Sequence, residues 1–433
     1  MSKRKKTDRT KLENWLRGHY KFRMNMVNHM IEYTEDASKP YRFMLEWDFN
    51  NIIRKIECDT DFSIGRNQLE IILKSDFIEQ YHPIRNYFDG LEKRYTWPYK
   101  NTEDIKDLEI YHLADTLKLN ESNNKDINIG TLFCEFLRNW MTASVANSMT
   151  DYGCQNQMCL VLIGGEGLKK SGWLMQLTPP ELIDYSKTSK IDLSKIDIWL
   201  DMGRIFIFNI DDQLKNLQKK DSETMKTIIT QPHDLKRLPH ASFNTFIPRI
   251  ANFCGSINGR EFLSDTGKNR RYFPFEVLDI DYEKLAKIDI NLCWFEAVQL
   301  YKMGVKYWYD VDELAKFDTN SYRVVRDEEE LFYEFFEPVL DENNIPPNAQ
   351  YKTAMQILRH LQVYAKKTLS IKFLGELLTH IKCVNKKKNY GNGRVERPYL
   401  VIEKFVDIHE QKSLLTAKPV SLPNTLPPAK INF

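Results

Sequence analysis

The sequence predicts an α/β core set between two helix-rich segments, and three observations predict it. Three short apolar runs occur within residues 155–280, at 158–163 (MCLVLI), 205–210 (IFIFNI) and 250–254 (IANFC), each ending in polar or glycine-rich residues. Near-continuous apolar runs of that length suit parallel strands covered on both faces. Helical spacing falls between them, as at 222–229, and the alternation of the two predicts an α/β domain. Helical spacing also dominates the chain before and after this region.

Residues 1–100 are rich in aromatic and charged residues and poor in glycine. Leu12, Trp15 and Leu16 fit the start of a helix, and 20–23 (YKFR) leads into a short extended stretch. Leu69, Ile72 and Leu73 have helical spacing, and His82-Pro83 marks a break. The expectation is a mostly helical module with one hairpin, preceded by a basic arm. Residues 101–320 are expected to form the main domain. In it Ile105, Leu108, Ile110 and Leu113 mark one helix, and Leu132, Phe133, Phe136, Leu137 and Trp140 a second. The polar run 120–126 (NESNNKD) between them is a surface loop.

Beyond 327 the helical spacing returns. Residues 327–339 are acidic and amphipathic, Met355, Leu358 and Leu361 mark a further helix, and Ser370 is a plausible N-cap for 371–378. A basic, glycine-containing turn follows at 386–394 (KKKNYGNGR), then a strand-like 399–402 (YLVI). Two helices followed by a basic turn between strands describe a winged helix-turn-helix over 327–405. The tail 411–433, with Pro419, Pro423, Pro427 and Pro428, is expected to be disordered.

Length and composition exclude several classes. The chain has 433 residues, 42% of them hydrophobic, enough for two or three cored domains. Mean hydropathy is −0.51, and no apolar run approaches eighteen residues, so no membrane span is expected. The basic start has no apolar segment behind it and reads as no secretory signal. Seven cysteines without a C-x-x-C pair predict reduced thiols and a cytoplasmic location. The net charge of +2 conceals segregation. Residues 1–23 and 364–397 each hold nine Lys/Arg against two Asp/Glu, and the remainder holds 44 basic against 56 acidic residues. Two basic segments flanking an acidic middle point to an anionic partner, nucleic acid first.

The first apolar run leads directly into Gly164, Gly165, Glu166, Gly167, Leu168, Lys169, Lys170, Ser171 and Gly172. The pattern G-x-x-x-x-G-K-[ST] places glycines where backbone N–H groups curl round phosphate, a lysine on the outer phosphates and a hydroxyl on Mg²⁺. Gly164, Lys170 and Ser171 fit it, while Lys169 stands where the last glycine belongs. About forty residues later the second apolar run ends in Asp211-Asp212. A strand ending in two acids suits a metal-holding carboxylate followed by one that orients water. The third run leads into Gly255, Ser256, Ile257 and Asn258, and Asn258 is a candidate phosphate sensor. Arg270 and Arg271 are candidates for stabilising transition-state charge on a neighbouring copy's nucleotide.

With these residues in view, the chain resembles the virulence-associated E family, P-loop proteins of phages and mobile elements related to superfamily-three helicases. The likeness is strongest over 156–278. It is carried by Lys226, Arg237 with Pro239, Pro248-Arg249, the 255–258 segment, and the block 262–273 (FLSDTGKNRRYF). Weaker similarity lies at 20–25 (YKFRMN), at Ser75-Asp76-Phe77 and at Tyr81-His82-Pro83. The resemblance implies an AAA+-like core and a replication protein that binds ATP, Mg²⁺ and DNA, either single-stranded or an origin duplex. It further implies a primase or other replication protein as partner and a homo-oligomeric ring. Loop residues 164–172 would hold nucleotide, Ser171 and Asp211 the metal, and Asp212 the attacking water. Asn258 would sense phosphate, and Arg249, Arg270 or Arg271 would act in trans. Lys372, Lys386, Lys387, Lys388 and Arg394 would contact DNA. Two departures, Lys169 for glycine and Asp212 for the usual glutamate, support the alternative of a catalytically impaired binding or assembly protein.

Overall fold

The computed structural model describes residues 9–61, 63–121, 127–152, 156–188, 197–210, 219–237, 243–259, 262, 270–317, 322, 326–389 and 395–404. The chain forms two compact units, residues 1–323 and 324–433.

The first unit opens with helix α1 (Arg9–His19) and strands β1 (Lys21–Asn25), β2 (Ile31–Thr34) and β3 (Arg42–Phe43). Helices α2 (Glu46–Asp59) and α3 (Arg66–Leu73) and strand β4 (Glu79–Tyr81) follow. The strands make one sheet in the order β3-β2-β1-β4, so the β1-β2 hairpin is part of a four-stranded sheet set among the helices. Its strands are two to five residues long, too short to show a period beside the helices. Leu12, Leu16, Phe22, Tyr33, Ile52, Leu69 and Leu73 form its core.

Arg23 and Asn25, from the YKFRMN segment, tie the module together. The Arg23 guanidinium bonds Glu32 and stacks on Tyr81 and Tyr41, 3.5 and 4.1 Å from the ring centres. Asn25 is fully buried and donates to Glu32 Oε1 (2.7 Å) and to the Tyr185 hydroxyl (2.8 Å), which belongs to the main domain.

The main domain continues through α4 (Pro83–Leu91), α5 (Glu109–Ala114), β5 (Leu117–Leu119), α6 (Ile129–Met149), β6 (Cys159–Gly164), α7 (Lys170–Gln176) and β7 (Ser186–Thr188). Next come α8 (Asp197–Met202), β8 (Ile207–Asn209), α9 (Lys219–Thr230), β9 (His233–Arg237), β10 (Asn244–Pro248), β11 (Asn252–Asn258), β12 (Tyr272–Ile280), α10 (Tyr282–Leu285) and α11 (Ile290–Lys302). Six strands form one sheet in the order β5-β12-β6-β11-β8-β7. All neighbours are parallel except β5, which runs antiparallel to β12. Strands β9 and β10 form a separate antiparallel hairpin.

Both faces of the sheet are covered, which explains the unbroken apolar runs. Leu160, Leu162, Cys254, Ile207, Phe273 and Phe275 pack with α6, α7 and α11. Cys159, Val161, Ile163, Phe208, Ile210 and Phe253 pack with α8 and α9. Three fully buried tryptophans each find an acceptor: Trp140 at Phe253 O, Trp173 at Thr116 Oγ1 and Trp294 at Leu177 O. Glu296 of α11 is also buried, and it accepts from the amides of Glu109 and Ile110 in the first turn of α5, at 2.9 and 3.0 Å.

The second unit runs α12 (Asp327–Phe335), β13 (Phe336–Pro338), β14 (Gln350–Lys352), α13 (Ala354–Gln362), α14 (Ile371–His380), β15 (Lys388–Asn389), β16 (Val395–Glu396) and β17 (Tyr399–Glu403). Strand β17 lies between β13 and β14, antiparallel to both, and β15 pairs with β16. Phe332, Phe335, Ile357, Leu361, Leu374 and Leu378 fill its core. Thr353 and Gln356 make a reciprocal cap on α13. Ser370 stands at the N-cap position of α14, but its side chain makes no cap bond. Its amide instead donates to Glu328 Oε1 at 2.7 Å, because that carboxylate from α12 reaches the same position. The expected tail, 411–433, lies outside the described residues. No helix among the described residues is long and apolar enough to cross a membrane.

Candidate functional site

The loop after β6 begins under tight steric constraint. A Cβ on Gly164 would lie 2.6 Å from Val277 O and 2.9 Å from Leu168 Cδ1, so only glycine fits beside β12. Gly165 and Gly167 face open space, and Gly167 has φ of +88°. Lys169 takes φ +54° and ψ +34°, the left-handed conformation, at the N-cap of α7. For a residue with a Cβ that conformation costs about 1–2 kcal/mol. The loop therefore keeps a glycine-type backbone at the position where the sequence departs from glycine. The Lys169 side chain is exposed, and its ammonium lies 5.6 Å from the centre of the Tyr282 ring.

Lys170 is buried at 5% exposure. Its ammonium donates to Gly164 O (3.1 Å), Gly165 O (2.8 Å) and Asn258 Oδ1 (3.0 Å). The Ser171 and Ser256 hydroxyls share a hydrogen bond of 2.8 Å. Strand order makes these contacts possible. Strand β11 lies directly beside β6, with Asn258 opposite Gly164. Loop, lysine, hydroxyl and candidate sensor thus meet at the carboxyl ends of adjacent parallel strands, where open α/β sheets bind ligands.

Strand β8 flanks β11 on the other side, with Asn209 opposite Cys254. Asp211 and Asp212 follow it but lie outside the described residues. Asn209 itself was not singled out by sequence reasoning, although an amide inside the run IFIFNI is the one polar interruption there. It is fully buried, and neither side-chain atom has a hydrogen-bond partner among the described residues. Strand alternation places it on the Cys254 and Ser256 face, the face that α7 covers. An unpaired buried amide costs about 1–3 kcal/mol, which is expected where a site and not the fold sets the residue.

The three arginines differ. Arg249 is 3% exposed and donates to the carbonyls of Gln231, Ala251 and Asn156. Burial lowers its pKa to about 9, so it stays charged at neutral pH. Its guanidinium joins the base of the hairpin to the backbone beside β6 and β11. Arg270 is exposed and Arg271 half-buried, immediately before β12. In the second unit Lys372, Lys386 and Lys387 are exposed, and the Lys386 ammonium lies 5.1 Å from the Tyr351 ring centre. Lys388 falls on β15, and Arg394 lies outside the described residues.

These features define a mixed α/β protein whose parallel sheet carries a glycine-and-lysine loop at the carboxyl end of one strand. Residues 115–324 match the model of the virulence-associated protein E-like domain. No curated protein matches the chain. Among solved structures, the apo structure of the NrS-1 C terminal region (305–718) is 12% identical, covering 90% of this chain and 98% of that one at a TM-score of 0.46. The A form apo structure of that region is 11% identical, covering 91% and 100%, at a TM-score of 0.47.

Proposed function

We infer that the first unit binds ATP with Mg²⁺ as an AAA+-like, P-loop core, that the second is a DNA-contacting winged helix, and that the protein serves the replication of a mobile element. The observation that carries this reading is the bond from Lys170 Nζ to Asn258 Oδ1, which joins the loop lysine to the candidate sensor across two parallel strands. The match of residues 115–324 to the virulence-associated protein E-like domain supports the biological setting.

The donor set fits a magnesium nucleotide. Lys170 offers an ammonium, Ser171 a hydroxyl and Asn258 an amide on one rim, and the orphaned Asn209 amide lies on the same sheet face. In this reading Lys170 moves from the loop carbonyls to phosphate, and Asn258 reports on the outermost one. Ser171 and Asp211 would hold Mg²⁺, which screens phosphate charge when bound. Asp212 would orient water, with Arg270 or Arg271 completing a neighbour's site in an oligomer. Lys372 and the 386–394 turn would contact phosphates of DNA.

A sensitive ATPase assay with and without single-stranded DNA tests the enzyme reading. Turnover that disappears in Lys170→Ala is the expected result. Absence of turnover, unchanged by that substitution, would sink it. Nucleotide binding without turnover would favour the impaired binding protein, the alternative raised by the departures at Lys169 and Asp212.

A further inference from the structure

The left-handed turn at Lys169 needs something to hold it, since a lysine has no preference for that conformation. Tyr282, 113 residues away, lies against it. Its hydroxyl is shared between Leu168 O (3.1 Å) and Lys169 O (3.3 Å), and its ring lies under the Lys169 ammonium. Tyr282 is itself well fixed. It opens α10 directly after β12, beside Asp281, whose carboxylate accepts from Lys284 N and whose amide donates to Thr116 O. Thr116 Oγ1 in turn accepts from Trp173 of α7. Both ends of the loop thus meet one edge: Val277 O leaves no room for a Cβ at Gly164, and the Tyr282 hydroxyl bonds Leu168 O and Lys169 O.

We propose that Tyr282 is a positioning residue for the nucleotide loop, its hydroxyl holding the left-handed turn at Lys169 and so setting the direction of two backbone amides. The peptide unit is planar and trans, so a carbonyl and the following N–H point opposite ways. Pinning Leu168 O and Lys169 O toward Tyr282 turns the N–H groups of Lys169 and Lys170 away from it. Those amides belong to the part of the loop that would cradle phosphate. Lys169 is then an accommodated variant: Tyr282 supplies from outside the loop what glycine would supply from within. This rests on the nucleotide reading above.

The test is a double-mutant cycle on the full chain, with Mg–ADP binding read by calorimetry and loop exchange read by hydrogen–deuterium exchange of peptides spanning 164–176. Tyr282→Phe keeps the ring and removes only the hydroxyl. It should weaken Mg–ADP binding about fivefold, the size of one neutral hydrogen bond. Adding Lys169→Gly should restore affinity to within about twofold of Lys169→Gly alone, because glycine adopts the turn unaided. A merely structural role for Tyr282 would show no such rescue. Unchanged affinity in Tyr282→Phe, with binding lost in Lys170→Ala, would overturn the proposal. If the unaltered chain does not bind Mg–ADP, the nucleotide reading fails, and exchange decides the clamp. Faster exchange in Tyr282→Phe, slowed again by Lys169→Gly, supports it, and unchanged exchange overturns it.

Discussion

At Lys169 a lysine occupies glycine's backbone conformation with its side chain turned outward. Lys169→Gly should therefore stabilise the chain by about 0.5–1 kcal/mol, measured by denaturant unfolding. Loss of stability would mean that the turn is unstrained. Asn209→Leu removes two orphaned polar atoms and should stabilise by about 1–2 kcal/mol while lowering ATP turnover. Stabilisation with turnover unchanged would leave the amide no part in the site. Sequence pattern singles out Gly164, Lys170, Ser171 and Asn258, because each residue type suits a task that phosphate chemistry would set, and the fold brings them together. It does not find the bond between Lys170 and Asn258, which depends on which strands lie side by side. Tyr282 leaves no signal at all, because its role depends on a contact across 113 residues. Arg249 is a candidate through the family resemblance, and its burial against backbone carbonyls is something no local motif encodes.

Among the elements, the strands with continuous apolar runs are the legible ones: MCLVLI becomes β6. Strand β12 is not, since Pro274 breaks its run and a proline argues against an interior strand. The sheet of the first module is hidden by strands too short to show alternation. Helices α5 and α11 are joined through Glu296, which makes their contact sensitive to pH. Burial raises its pKa to about 7 from 4.5, against the opposing pull of the two amides it accepts from. A carboxyl whose folded pKa is raised favours the folded state when protonated. Its contribution is full below about pH 4.5 and is lost as pH rises to about 7. The loss is on the order of 3 kcal/mol. Denaturant stability across that window should fall more steeply for the unaltered chain than for Glu296→Gln. Parallel curves would show that the group does not titrate there.

For the whole molecule, the small net charge of +2 conceals a basic segment, 364–397, that falls entirely within the second unit. If that unit contacts DNA through Lys386 and Lys387, replacing both by alanine should weaken binding to all sequences alike. It should also reduce the slope of log affinity against log salt by about 2, measured by fluorescence anisotropy of the full chain. An unchanged slope would place the contact elsewhere. The first unit carries the central claim, that the loop of Gly164, Lys170 and Ser171 holds a magnesium nucleotide. Calorimetric titration of the full chain with Mg–ATP, beside Lys170→Ala, tests it most directly. The expected result is saturable one-site binding weakened at least about tenfold in the variant, as befits loss of a charged contact to phosphate. Equal binding by both proteins, or none by either, would contradict it.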